Sequence, residues 1–71
     1  MGDLQISLAA ARVNAEMTQD DVAAALHIGK QTIVNWEKGI TEPKISQMRK
    51  LCELYNMPVE NIFLSKKSNK I

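Results

Sequence analysis

The sequence has a single cysteine, Cys52, which excludes an intramolecular disulfide framework and any zinc site built on several thiolates. Aromatic residues are as scarce, one each of Trp36, Tyr55 and Phe63, so a core has to be assembled mostly from aliphatic and Met side chains. No apolar stretch exceeds a few residues, which rules out a bilayer-spanning helix. The N-terminus lacks the basic start and long apolar run of a signal peptide. A cytoplasmic chain with no membrane partner is therefore expected. Neither sign of charge dominates: nine Lys and Arg against eight Asp and Glu give a formal +1, and the total names no partner. Length itself is limiting, because 71 residues leave little room for a deep, water-excluding pocket, and an enzyme is not expected. What is present is 45% hydrophobic residues in one small globular domain's worth of chain.

The near-neutral total hides a segregation. Arg12 against Asp3, Glu16, Asp20 and Asp21 leaves residues 1–26 at −3. Lys30, Lys38, Lys44, Arg49 and Lys50 against Glu37 and Glu42 bring residues 27–50 to +3. Residues 51–65 return to −2 with Glu53 and Glu60, and the tail 66–71 holds Lys66, Lys67 and Lys70. A protein with this distribution can offer a polyanion one attractive face, although lysines on solvated helix faces are also ordinary.

Apolar periodicity places five short helices and no strand. Asp3 is positioned to cap a first helix through Leu4, Leu8, Ala11 and Ala15, and the pattern breaks near Asn14-Ala15-Glu16. Thr18 opens a second helix: its hydroxyl can accept from the Asp21 amide, Met17 can staple onto Val22, and Asp20 and Asp21 suit the positive end of the dipole. That helix ends near Leu26, with Val22, Ala23 and Leu26 on one face. After His27-Ile28-Gly29, residues 30–38 read as a third helix with Ile33 and Trp36 inward and Gly39 as its left-handed terminator. Pro43 lies in the following turn, and a fourth helix from about Ile45 carries Met48, Leu51, Cys52 and Tyr55 on one stripe up to Asn56. Pro58 starts an expected fifth helix with Val59, Ile62 and Phe63 inward. The expected architecture is all-α, with a core of Val22, Ala23, Leu26, Ile28, Ile33, Trp36, Met48, Leu51, Cys52, Tyr55, Ile62 and Phe63.

Helices two and three carry the functional signal. Two short helices joined by about three residues, with small Ala23 at the crossing and Ile28 plugging the turn, make a helix-turn-helix. With Ile33 inward, the third helix turns Lys30, Gln31, Thr32, Val34, Asn35 and Lys38 outward. Gln and Asn present a donor beside an acceptor, the arrangement that reads adenine in the major groove, and Lys can donate to guanine or phosphate.

Taken jointly, Thr18-Gln19-Asp20-Asp21-Val22-Ala23, Ile28, Gln31-Thr32-Ile33, Trp36-Glu37-Lys38-Gly39 and Pro43 resemble the helix-turn-helix of phage repressors and Cro proteins, the XRE-like family, from about Leu4 to Leu64. The resemblance implies a compact five-helix, lambda-repressor-like domain over residues 1–65, followed by a basic tail, 66–71. It implies operator DNA as the partner, bound by a homodimer, with the third helix in the major groove. Carried onto these positions, Lys30, Gln31 and Asn35 read bases. Gln19 touches a phosphate while bracing the third helix, Thr32 meets a phosphate or a thymine methyl, and Lys38, Lys44 and the backbone around residues 39–42 follow the phosphate strand. Arg12 and Glu37 match a pair that bridges helix one to the end of helix three. Two positions depart from the family pattern: His27 stands where Gly is usual, and Gly29 where Ser or Thr usually caps.

Plain readings compete with sharper ones elsewhere. Cys52 on an apolar stripe is a core thiol, and His27 is a surface turn residue rather than a metal ligand or half of a catalytic dyad. Helix-start electrostatics accounts for Asp20 and Asp21 without a metal. No cofactor, metal or small-molecule ligand is expected. The function expected is a sequence-specific repressor of phage or mobile-element type. The alternative is an antitoxin-like module that uses the same fold to grip a protein partner, for which Leu64 and Ile71 are the candidate apolar patch.

Overall fold

The computed structural model describes residues 6–58 and the backbone of residues 62 and 63. Four helices run through the described residues: α1 (Leu8–Asn14), α2 (Gln19–Leu26), α3 (Lys30–Lys38) and α4 (Ile45–Tyr55). Two short strands, β1 (Ile6–Ser7) and β2 (Ile62–Phe63), pair in parallel with Ile6 opposite Ile62 and Ser7 opposite Phe63.

The strands correct the sequence reading at both ends. The first helix does not start after Asp3; it starts at Leu8, because the extended Ser7 supplies the cap, its Oγ accepting from the Ala10 amide at 3.0 Å. Asp3 and Leu4 lie outside the described residues. Ile62 and Phe63, expected on a fifth helix, are strand residues instead. A β-branched and an aromatic residue suit extended backbone, and the four helices form the long crossover that parallel pairing requires. Their side chains, and Val59, lie outside the described residues.

α2, α3 and α4 each stop at a residue in left-handed backbone, and α1 meets one just past its cap residue, Ala15. Past the end of α1, Glu16 takes φ 59°, and the Met17 amide donates back to the Arg12 carbonyl at 3.2 Å. His27 ends α2 at φ 60°, ψ 43°, and the Ile28 amide reaches the Ala23 carbonyl at 3.0 Å. Gly39 ends α3 at φ 80°, the conformation that glycine adopts without a Cβ penalty. Asn56 ends α4 at φ 54°.

The start of α2 is a full capping box. The Thr18 hydroxyl accepts from the Asp21 amide at 3.0 Å, and the Asp21 carboxylate accepts from the Thr18 amide at 2.9 Å. The Thr18 amide, and after it the Thr18 hydroxyl, favour the ionised carboxylate and hold Asp21 below its ordinary pKa. At α4 only half of such a box forms: Gln47 Oε1 accepts from the Lys44 amide at 3.0 Å, and a lysine side chain has no acceptor with which to reciprocate.

The core is drawn from all four helices: Leu8, Ala11, Val22, Ala23, Ile33, Trp36, Leu51, Cys52 and Tyr55 are buried. Leu26, Ile28 and Met48 are half-buried and pack at its margin, together with Ile6, Ala15, Met17, Leu54 and Met57. Placing Ile33 and Trp36 in this core fixes which side of α3 looks outward.

Candidate nucleic-acid interface

Ile33 and Trp36 lie three residues apart on α3 and are buried to 1% and 5% exposure, so the opposite side of that helix faces away from the core. Lys30, Gln31 and Lys38 are exposed there, and Thr32, Val34 and Asn35 are half-exposed.

The helix is held in place by one carboxylate. Glu37, with its side chain 8% exposed, accepts from Arg12 Nε at 2.7 Å through Oε2 and from Arg12 Nη2 at 3.3 Å through Oε1. Gln19 Nε2 donates to the same Oε1 at 2.9 Å. Arg12 spends its remaining nitrogen on the Met17 carbonyl, 3.0 Å from Nη1. Residues of α1, the α1–α2 turn, α2 and α3 thus meet at a single anion. The hydrogen bond to Glu37 keeps the Arg12 pKa above its ordinary value, against the opposing effect of burial. Tyr55 is also within this field: burial, reinforced by the Glu37 charge and opposed by Arg12, pushes its pKa up to about 12.

The pairing has an electrostatic purpose on a surface of this kind. A carboxylate near the C-terminal end of α3 meets the negative end of the helix dipole and would also repel a phosphate. Arg12 neutralises it, and Gln19 takes up one of its remaining lone pairs. Gln19 is half-exposed at the first position of α2, on the lip of a shallow recess of about 480 Å³ lined by Arg12, Met17, Thr18, Gln19, Asp20 and Lys30.

The outward residues are held more loosely. Lys30 Nζ stands 3.9 Å from Asp20 Oδ2, both side chains being more than half exposed, a solvent-screened contact of little energetic value. Gln31 Nε2 donates to Asn35 Oδ1 at 3.0 Å across one helical turn. The i, i+4 spacing of two amides permits this contact without dictating it.

Beyond Gly39 the chain turns toward Lys44. The amides of Ile40 and Thr41 both point to the Asn35 carbonyl, at 2.9 and 3.4 Å, and that of Gly39 to the Trp36 carbonyl at 3.2 Å. These three donors are used internally, so a phosphate strand along residues 39–41 would be met there by other groups, among them the exposed Thr41 side chain, flanked by the exposed Lys38 and Lys44. Lys66, Lys67 and Lys70 lie outside the described residues.

Cys52 is buried in the core as a thiol, and His27 is exposed on the α2–α3 turn. Among the described residues no cluster of His, Cys, Asp or Glu could hold a metal ion, and no helix is long and apolar enough to cross a membrane.

Comparison with known proteins agrees with the architecture. Residues 8–62 match the family described as Helix-turn-helix. Over 58 residues, or 82% of its length, the chain is 31% identical to the cryptic phage CTXphi transcriptional repressor RstR of Vibrio cholerae. It spans about half of that relative, 52%. It is 33% identical over 48 residues to an uncharacterized HTH-type transcriptional regulator of Methanocaldococcus jannaschii, covering 68% of this chain and 73% of the relative. An uncharacterized HTH-type transcriptional regulator of Archaeoglobus fulgidus is 32% identical over 53 residues, 75% of each chain. No solved structure matches the chain significantly. With α2 and α3 forming the motif and the match running through most of the sequence, the chain belongs to the XRE-type helix-turn-helix family of transcriptional regulators.

Proposed function

We propose that this regulator is a sequence-specific repressor of phage or mobile-element type that binds a palindromic operator as a homodimer. The observation that carries the reading is the outward side of α3: two amides and two lysines on a helix locked to the core by Ile33 and Trp36. Lys30, Lys38, Lys44 and the tail lysines displace counterions and supply affinity that falls steeply with salt. Lys30 leaves Asp20 at little cost, because that exposed pair contributes little. Gln31 and Asn35, with Lys30, read base edges in the major groove, and Thr32 meets a phosphate or a thymine methyl.

Gln19 braces α3 through Glu37 and, at the first turn of α2, stands where a phosphate oxygen meets the positive end of the helix dipole. The neutralised Glu37 leaves this approach free of a bare negative charge. One copy reads only a few base pairs, so useful specificity calls for two, their half-sites about one helical turn apart, ~34 Å. Of the surface expected for pairing, the region of the expected fifth helix and the loop before it, only residues 56–58 and the backbone of residues 62 and 63 are described.

The test is a pair of substitutions with different signatures. Gln31→Ala should relax base preference at one position of each half-site. Lys44→Ala should weaken all duplexes alike and lower the salt slope by about 1. If both variants lose affinity without a change of preference, α3 is not the base-reading element.

A further inference from the structure

Gln31 and Asn35 are joined by a hydrogen bond in which the Gln31 amide nitrogen is the donor and the Asn35 oxygen the acceptor, 3.0 Å apart. That bond fixes more than position. A lone Gln or Asn side chain on a surface can turn its amide over and offer oxygen and nitrogen in either order. Here turning one amide alone would set two oxygens, or two nitrogens, against each other. The two amides therefore turn only together, and in the sense the structure shows, their free groups are fixed.

Gln31 uses one N–H internally and keeps its oxygen and its second N–H. Those two groups match the adenine edge, where N6 donates and N7 accepts. Asn35 has committed its oxygen and is left with two N–H donors. Two donors match an edge that only accepts, and guanine, with N7 and O6, supplies two acceptors side by side. Turned outward unpaired, Asn35 would itself read adenine.

We infer that Gln31 and Asn35 act as one specificity unit, reading adenine beneath Gln31 and guanine beneath Asn35 at neighbouring steps of the half-site. The inference rests on α3 being the recognition helix, and adds to it an order of bases and a dependence of one reader on the other. Asn35 is a contact residue in its own right and a positioning residue for Gln31. The i, i+4 geometry keeps the bond intact while both side chains reach outward.

Selection of bound duplexes from a random pool, run on the wild type, Asn35→Ala and Asn35→Asp, tests it. Neither substitution touches the fold through the side chain, because it is the Asn35 carbonyl that holds the next turn. Matching thermal melts establish this. Asn35→Ala should erase the guanine column and relax the adenine column, because Gln31 keeps both reading groups but loses the partner that fixes their order. Asn35→Asp keeps an acceptor for Gln31 and loses the donors, so adenine should persist while guanine is lost. The coupling is overturned if Asn35→Ala leaves the adenine column intact. Its sense is overturned if Asn35→Asp erases adenine and spares guanine. A wild-type pool that binds in a salt-dependent manner without any base preference removes the sequence-specific reading itself, and the coupling with it.

Discussion

Replacing Arg12 by Met removes the charge that faces Glu37 and keeps most of the side-chain volume. Glu37 then loses bonds of 2.7 and 3.3 Å and retains one neutral donor, the Gln19 amide at 2.9 Å. At 8% exposure the carboxylate cannot be rehydrated unless α3 moves. Breaking a buried pair on one side costs about 3–5 kcal/mol, and the residual exposure of Arg12 argues for the lower end, about 3. A small domain has about 0.05–0.15 kcal/mol of stability per residue, so this is a large share of the total. Replacing both partners, Arg12→Met with Glu37→Leu, leaves no stranded charge and should cost about 1 kcal/mol or less beyond the lost Gln19 contact. Urea titration followed by circular dichroism and by the fluorescence of Trp36 measures the Arg12→Met and Glu37→Leu single variants and the double variant. The double variant should be more stable than the Arg12 single variant. If the two single effects simply add, to within about 0.5 kcal/mol, the residues are not energetically coupled and the account of α3 anchoring is wrong.

Three further outcomes follow from the same coordinates. Trp36→Ala, at a position 5% exposed, should destabilise by about 3 kcal/mol or more through the cavity it leaves; an unchanged melting curve would contradict its place in the core. Gly29→Ser should stabilise by about 0.5–1 kcal/mol, since a Cβ there meets nothing within 4 Å, the backbone is already extended, and α3 gains a cap hydroxyl; a lowered midpoint would refute this. Burial pushes the Tyr55 pKa up to about 12 from an ordinary 10.0, so the stability it contributes is fully present below pH 10 and is lost as pH rises toward 12. Tyr55→Phe should flatten the fall in stability between those limits, and an unaltered slope would assign it to other groups.

What could be read from the sequence differed by element for physical reasons. α2 and α3 are framed by strong local signals: a Thr–x–x–Asp capping box, an αL glycine and apolar spacing that matches one helical face. Their ends were accordingly placed within a residue. The ends of the chain were not. Asp3 and Ser7 can each cap a helix, and choosing between them depends on whether Ile6 pairs with Ile62, a contact across the whole domain that no local pattern reports. Two-residue strands have no alternation to recognise, and Ile62 and Phe63 fit the apolar stripe of a short helix equally well. At the interface, residue types and their face could be assigned from spacing. The Gln31–Asn35 bond could not, because side-chain direction is decided by what each amide finds beside it.

The surface divides into fixed and movable parts, and the division follows burial. Glu37 and its three donors are shielded, so rearranging them exposes an unpaired charge at a cost of several kcal/mol. The exposed Lys30–Asp20 contact is worth at most about 1 kcal/mol, and at 3.9 Å it lies at the limit of an ion pair. Lysines that change partners cheaply suit a phosphate backbone, which is alike at every step and rewards charge in many positions. Base edges reward one geometry alone, and the residues proposed to read them are the ones whose helix is pinned from behind. A substitution in the Arg12–Glu37–Gln19 knot that leaves the chain folded should therefore reduce discrimination between duplexes more than it reduces non-specific affinity, although none of its three side chains belongs to the base-reading set.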